Sequence, residues 1–380
     1  MKIVQINAFS NKSTGTIMMN IHKELLKQGH DSYVVWGRGR EPENNHEIYM
    51  NDKLGVYFHG LYTRLTDKTG FASKGATKRL IKKLDEIKPD IIHLHNIHGY
   101  YINIEMLFNY IKKNNIRTIW TLHDCWAFTG HCPHFELIGC TKWKDGGCHD
   151  CPLKNMYPKS ITDNSKWNYQ KKKEIFTGVK DLTIITPSKW LANLVNQSFL
   201  KDYKIIVINN GIDTNIFKPR KSDFRKKYNL ENKKIILGVA SDWTKEKGYY
   251  DFIDLSKLLD NNYQIVMVGL NKEQLKEIPN NILGIERTEN AIQLAEIYTA
   301  ADVFLNLTYA DNYPTTNLEA QACGTPCITY NTGGSPESVP KENVVDKDIA
   351  KVVERLNTKS ITKDKLDYSE MINKYIEEYK

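Results

Sequence analysis

Three observations predict two α/β domains in tandem, each built on a parallel sheet. Apolar runs of strand length alternate with amphipathic helical stretches along most of the 380 residues, the pattern of repeated βαβ units. The alternation is interrupted once, from Ile205 to Pro219, where the turn Asn209-Asn210-Gly211 and a closing proline have the composition of a linker, and then it restarts. A chain of this length can bury a core in each of two ordinary domains. The expected class is α/β with two Rossmann-like domains, residues 1–210 and 211–365, and a final helix within 366–380 that returns to the first domain.

The first domain opens on a strand, Met1 to Ala8, then a Ser/Thr/Gly loop from Ser10 to Thr16 and an amphipathic helix through Gln28 that Gly29 closes. A second strand follows at Ser32 to Trp36. The unit repeats as a helix near Lys78 to Ile87 before the strand Asp90 to His95, and as Met106 to Asn114 before Arg117 to Leu122. Leu182 to Thr186 is a further strand, and Pro187 introduces a helix from about Ser188. In the second domain, strands are expected at Ile235 to Ala240, Tyr263 to Leu270, Ile282 to Ile285, Val303 to Leu307 and Cys327 to Tyr330. Helices are expected at Gly248 to Leu259, Ala291 to Ala300 and Asn317 to Ala322, and an amphipathic helix, Tyr368 to Tyr379, ends the chain.

The apolar runs fall far short of the roughly 20 residues a bilayer-crossing helix needs. Met1 to Asn7 lacks the make-up of a secretory leader, so a cytoplasmic protein is expected. Charge is uneven. Residues 1–190 hold 28 Lys and Arg against 18 Asp and Glu, whereas residues 191–380 hold 25 against 27. A basic first half suits an anionic partner (membrane lipid, a phosphorylated acceptor or nucleic acid) or is simply a solvated surface. Its densest runs, Lys78-Arg79, Lys82-Lys83 and Lys171-Lys172-Lys173, lead us to expect peripheral contact with the inner face of the cell membrane.

Two carboxylates, Asp311 and Glu319, stand eight positions apart across a loop-to-helix junction just past the strand Val303 to Leu307. Unpaired backbone N–H groups of Thr316, Asn317 and Leu318 at the helix start would offer an anion site, with the carboxylates placed to grip hydroxyl groups. Open α/β sheets bind ligands beyond the carboxyl ends of their strands, so this junction is a natural ligand site. His123, at the end of a first-domain strand, occupies an equivalent place.

With these residues the chain resembles glycosyltransferase family 4. The run from Asp311 through Glu319 to Ala320-Gln321-Ala322-Cys323-Gly324-Thr325-Pro326, then Thr332-Gly333-Gly334-Ser335-Pro336-Glu337, is similar to the family's E-x7-E donor-site signature, with Asp311 in place of the usual Glu. The resemblance implies the GT-B fold, two Rossmann-like domains facing across a cleft. It implies a retaining transfer of a hexose from a nucleotide-sugar donor (UDP- or GDP-sugar) to a saccharide or polyprenyl-linked acceptor in surface polysaccharide synthesis, without a catalytic metal. It places Asp311 against the donor sugar and Glu319 on the ribose, with Asn312, Tyr313, Pro314, Thr315, Thr316 and Asn317 lining the donor. Lys245-Glu246-Lys247-Gly248 resembles the family's phosphate-binding element. Lys247 fits its lysine, and Asp242 stands where the family has an arginine, so Lys245 is the candidate for the second charge. Thr121-Leu122-His123-Asp124 resembles the catalytic histidine motif, and Gly15 the glycine of the first loop, where a missing side chain lets donor phosphate or acceptor approach the backbone. His93, His95, Asn96 and His98 are read as cleft wall, with His98 a further acceptor contact.

Five of the seven cysteines fall close together: Cys125, Cys132, Cys140, Cys148 and Cys151. Cys148 and Cys151 have the C-x2-C spacing of a zinc knuckle, and with Cys132 and Cys140 they would complete a closed tetrahedral structural zinc site holding the insertion 130–152. Two alternatives stand beside the transferase reading: a basic, zinc-containing nucleic-acid-binding protein, and another GT-B enzyme such as a sugar-nucleotide epimerase.

Overall fold

Strands β1 (Lys2–Phe9), β2 (Asp31–Arg38), β3 (Glu47–Tyr49), β4 (Ile91–Leu94), β5 (Arg117–Thr121), β6 (Leu182–Thr186) and β7 (Lys204–Val207) form one sheet in the order β3-β2-β1-β4-β5-β6-β7. All pairings are parallel, with registers such as Ile3↔Ile91 and Thr118↔Leu182. The helices between them are α1 (Ser13–Lys27), α2 (Lys53–Thr66), α3 (Lys74–Ile87), α4 (Ile104–Asn114), α5 (Ser165–Phe176) and α6 (Lys189–Val195). The computed structural model describes residues 1–11, 13–50, 52–358, 362 and 367–380. Its contacts divide the chain into residues 1–208 with 372–380, and residues 209–371. The expected boundary at 365/366 lies outside the described residues.

The second unit contains α7 (Phe224–Lys227), β8 (Lys234–Val239), α8 (Tyr249–Leu258), β9 (Tyr263–Val268), α9 (Gln274–Glu277), β10 (Ile282–Ile285), α10 (Ala291–Ala300), β11 (Val303–Asn306), α11 (Thr315–Ala322), β12 (Cys327–Tyr330), β13 (Val344–Val345) and α12 (Ile349–Leu356). Its strands pair in parallel in the order β10-β9-β8-β11-β12-β13. Successive residues of β8 point to opposite faces, and both faces are covered. Ile235 and Leu237 enter one apolar cluster and Ile236 the other, which is why this strand reads as an unbroken apolar run. In both units strand order reverses beside the first strand, between β1 and β4 and between β8 and β11. Such a reversal opens a crevice at the carboxyl ends of the strands.

The last helix, α13 (Tyr368–Glu377), spans the division: its first turn belongs to the second unit and Ile372 onward to the first. In the first unit Ile372, Tyr375, Ile376 and Tyr379 are buried. Arg117 donates to the carbonyls of Glu378 and Tyr379, each at 2.8 Å.

Two local expectations are corrected. Gly15 lies within α1 and not in a loop, and it is buried. A Cβ there would stand 2.5 Å from the Phe9 carbonyl oxygen, so its missing side chain makes room for this chain's own backbone. Lys172 is buried rather than part of a surface basic run. Its Nζ donates to the carbonyls of Trp126 (2.8 Å) and Thr129 (3.1 Å) and lies 3.5 Å from the centre of the Trp126 ring. Segment 130–152 also has apolar anchors of its own: Trp143 is fully buried between Phe128 and Phe135, each with ring centroids 5.0 Å from its own.

Candidate active site

In the second unit the site grows from the β8/β11 reversal. After β8 a single 3-10 turn, Lys245–Lys247, ends at Gly248 in the left-handed region (φ 78). A Cβ at Gly248 would lie 2.4 Å from the Leu307 carbonyl oxygen, so only glycine lets this turn dock on the end of β11. The docking is secured when Tyr309 N donates to Glu246 O at 2.8 Å. Lys247 is thereby aimed at the loop after β11, where its Nζ meets Asp311 Oδ2 at 2.8 Å. Asp311 is itself held from below, its carbonyl accepting from Gly334 N at 3.1 Å. Lys245 is exposed on the same turn.

Glu319 lies on α11, the helix that follows. Tyr298, buried on α10, donates its hydroxyl to Glu319 Oε2 at 3.1 Å. Burial pushes the Glu319 carboxyl up to about 7, although hydrogen bonds from Tyr298 and Thr315 pull the other way. A carboxylate so poorly hydrated gains most from a partner that brings its own hydroxyl groups.

The structure separates the remaining donor candidates. Asn317 points inward: its Oδ1 accepts from Asn306 at 2.7 Å and its Nδ2 donates to Ser338 Oγ at 2.8 Å. The buried amide side chain ties α11 to the sheet, so a donor contact here falls to the backbone N–H. Tyr313 packs in a small apolar cluster with Ile212, Leu318 and Ala322, its carbonyl accepting from Asn210 at 3.0 Å, so it shapes the loop. Pro314 and Asn312 are buried beside it, and Thr315 and Thr316 are partly exposed at the start of α11.

In the first unit, imidazoles gather at the carboxyl ends of β4 and β5. His93 Nε2 meets Thr121 Oγ1 at 2.8 Å, His95 Nε2 meets Gln5 Oε1 at 3.3 Å, and His95 Nδ1 meets His123 Nε2 at 3.3 Å. His95 and His123 therefore share one hydrogen bond whose direction follows the tautomer of His95. The His95 and His123 rings stack at 5.6 Å. Burial lowers His123 to about 4, with the Asp124 charge opposing and His98 adding to the fall. It is therefore neutral at neutral pH. His98 is committed on both nitrogens, Nε2 to Asp124 Oδ2 at 2.9 Å and Nδ1 to the Tyr157 hydroxyl at 3.1 Å. Burial works to raise the Asp124 carboxyl, but His98, His134 and the Trp126 N–H outweigh it and hold it well below the usual carboxylate range. His95, His98, His123, Asp124 and Trp126 line one narrow pocket. Tyr298 was not singled out from sequence, and Asp124 was named only as the end of the His123 motif, without a role of its own. Asp124 could have been given one, as the carboxylate directly following His123.

Cys132, Cys140, Cys148 and Cys151 border another pocket with Phe135 and Trp143. The Cys132 and Cys151 thiols are hydrogen-bonded to each other, and Cys148 Sγ accepts from Gly130 N at 3.1 Å. Among the described residues no three His, Cys, Asp or Glu side chains form a ready metal-holding group.

The two parallel-sheet units are those of a glycosyltransferase of the GT-B class. Two family descriptions match, Glycosyltransferase Family 4 over residues 14–216 and Glycosyl transferases group 1 over residues 220–378. The chain belongs to glycosyltransferase family 4. It is 24% identical over 376 residues to the colanic acid biosynthesis glycosyl transferase WcaC of Escherichia coli (strain K12), covering 93% of this chain and 90% of that one. Sucrose-phosphate synthase from Thermosynechococcus elongatus shares the fold with a TM-score of 0.69 at 13% identity, over 100% of this chain and 98% of that one. Anabaena HepE in complex with UDP-glucose does so at 0.65 and 13% identity, over 100% and 99%.

Proposed function

We propose that this enzyme moves a hexose, with retention of anomeric configuration, from a UDP- or GDP-sugar to a saccharide or polyprenyl-linked acceptor in polysaccharide synthesis, in the cytoplasm at the inner face of the cell membrane. One observation carries the donor half: Lys247 and Asp311 are brought together at the β8/β11 reversal, with the poorly hydrated Glu319 one helix turn beyond the start of α11. Lys247, with Lys245 beside it and the N–H groups at the start of α11, would neutralise the diphosphate. Glu319 would accept ribose hydroxyls, and Asp311, released from Lys247, would accept from the sugar. HepE's complex with UDP-glucose and the role in WcaC's name support the donor and polysaccharide readings.

In the first unit a neutral His123, fixed by His95, would stand at the transferring sugar. No side chain need act as nucleophile if the departing diphosphate takes the acceptor's proton. The main catalytic contribution is then electrostatic stabilisation of that diphosphate. That four thiols border one pocket supports structural zinc in segment 130–152, bound once their side chains turn onto a common centre. A thermal-shift panel of UDP-, GDP-, ADP- and CMP-sugars tests the donor. The matching sugar nucleotide at a hundred times its Kd should stabilise the protein by about 2.7 kcal/mol. No shift with any of the four would overturn the reading.

A further inference from the structure

Helix α2 is amphipathic in the wrong sense for a core helix. Its inward side is poor in apolar surface: His59 and Thr63 are buried, Gly60 is partly so, and Val56 packs partly buried against the core. Its outward side carries Leu54, Tyr57, Phe58, Leu61, Tyr62 and Leu65, at the i, i+3, i+4, i+7, i+8 and i+11 positions of one continuous stripe. Leu54, Tyr57 and Phe58 are 74%, 69% and 62% exposed, so these side chains are not half-covered core residues. The stripe runs for about 16 Å along the helix.

The helix is firmly held. Asp52 caps its start by accepting from Gly55 N at 2.9 Å. His59 bonds Ser73 Oγ at 2.8 Å through Nδ1 and accepts from Gly70 N at 3.0 Å through Nε2. At its end the Arg64, Leu65 and Thr66 carbonyls accept from Ile161 N, Thr162 Oγ1 and Asn164 Nδ2, each at 2.9 Å. Ile161, itself 62% exposed, extends the apolar surface past the helix end.

Cations flank this surface. Lys53 and Arg64 are exposed on α2 itself. The neighbouring α3, tied to the start of α2 by the Arg79–Asp52 ion pair at 3.6 Å, exposes Lys74, Lys78, Arg79 and Lys82.

We propose that the outward face of α2 is a docking surface for an anionic lipid bilayer. Aliphatic and tyrosine side chains beside a row of cations match the boundary between acyl chains and anionic headgroups. The capped helix ends leave few carbonyls to be stripped of water there. A second copy of the chain fits less well, because pairing the stripes would set like-charged flanks against each other. Among the described residues no helix is long and apolar enough to cross a membrane.

The test is flotation of the full chain with vesicles of phosphatidylcholine alone or mixed with phosphatidylglycerol, at low and high salt. The wild type should float with the mixed vesicles only, less at high salt. Leu54→Ser/Phe58→Ser/Leu61→Ser should lower the bound fraction at least about tenfold at an unchanged melting temperature, since each exposed side chain contributes only where it is buried in lipid. Lys74→Glu/Lys78→Glu/Lys82→Glu should remove the salt-sensitive part. Failure of the wild type to float, or equal flotation of the Ser variant, overturns the proposal. So does a lipid-free dimer that the Ser variant alone converts to monomer, which would make the stripe a protein interface.

Discussion

The hydroxyl of Tyr379 lies 2.7 Å from Nδ1 of His93, so a residue one short of the chain's end completes the hydrogen bonding of a fully buried imidazole on β4. The terminal segment is thus a structural member of the first unit. Tyr379→Phe should cost about 1–3 kcal/mol, because it leaves the buried imidazole nitrogen unpaired. Tyr379→Ala, which also empties the ring's site, should cost about 3–5 kcal/mol. Urea unfolding measures both, and equal stability of the Ala variant would contradict the anchoring.

Lys247 and Asp311 form a partly exposed pair, which contributes only about 0–1 kcal/mol to stability. Its role is to poise a charge. Lys247→Ala should weaken binding of the cognate sugar nucleotide by about 10- to 150-fold, the loss of a charge-assisted hydrogen bond, while the unfolding midpoint barely moves. Calorimetric titration of the two proteins decides it.

Glu319 supplies a pH signature. Its folded-state carboxyl is raised to about 7, so below that pH it is increasingly protonated and accepts fewer hydroxyl hydrogen bonds. Donor affinity should therefore rise as pH increases through about 7 and then level off. By the same shift, this group's contribution to folding stability is greatest below the ordinary carboxylate range and falls as pH rises through 7. Glu319→Gln should flatten the affinity profile. Calorimetry from pH 5.5 to 8.5 reads the slope, and an unaltered slope in the Gln variant assigns it elsewhere.

The strand–helix alternation was legible because strands buried on both faces, such as Ile235-Ile236-Leu237, cannot hide their apolar run. Helix α2 went unread for the opposite reason: its apolar stripe faces out, and the side that packs on the protein is mostly His59, Thr63 and glycine, with Val56 its apolar contact to the core. Helix α5 was obscured by its lysine run, whose middle member, Lys172, is buried on backbone carbonyls. At the site, the eight-residue spacing of Asp311 and Glu319 was readable along one chain segment. What holds each of them was not. Lys247 reaches Asp311 from the preceding β–α turn and Tyr298 reaches Glu319 from α10. Contacts between separate βα units are set by strand order, which local spacing does not carry.

His123 is neutral and oriented through His95, itself fixed by Gln5. His123→Ala should lower kcat about a hundredfold or more while leaving nucleotide Kd within about twofold, since the interaction it removes is made at the reacting sugar. Gln5→Leu should lower kcat by a smaller factor through loss of orientation. Steady-state kinetics with calorimetry on the same preparations separates the two effects, and a parallel loss of nucleotide affinity in His123→Ala would move the residue to the nucleotide.

The cysteine segment yields the last prediction. Four thiols on one pocket, two of them within hydrogen-bonding reach of each other, are a ligand set whose softness selects zinc over magnesium or calcium. Protein prepared without added metal should carry about one zinc per chain, bound by Cys132, Cys140, Cys148 and Cys151 as thiolates. Trp143 and Phe135 anchor the segment independently of any metal. A strong chelator should therefore expose four thiols to a labelling reagent without unfolding either sheet, and lower the melting temperature only modestly. Elemental analysis is the direct measurement, with Cys148→Ser expected to abolish the zinc signal. Metal-free protein in which the four thiols already react fully, at undiminished activity, would mean that aromatic packing alone orders this segment.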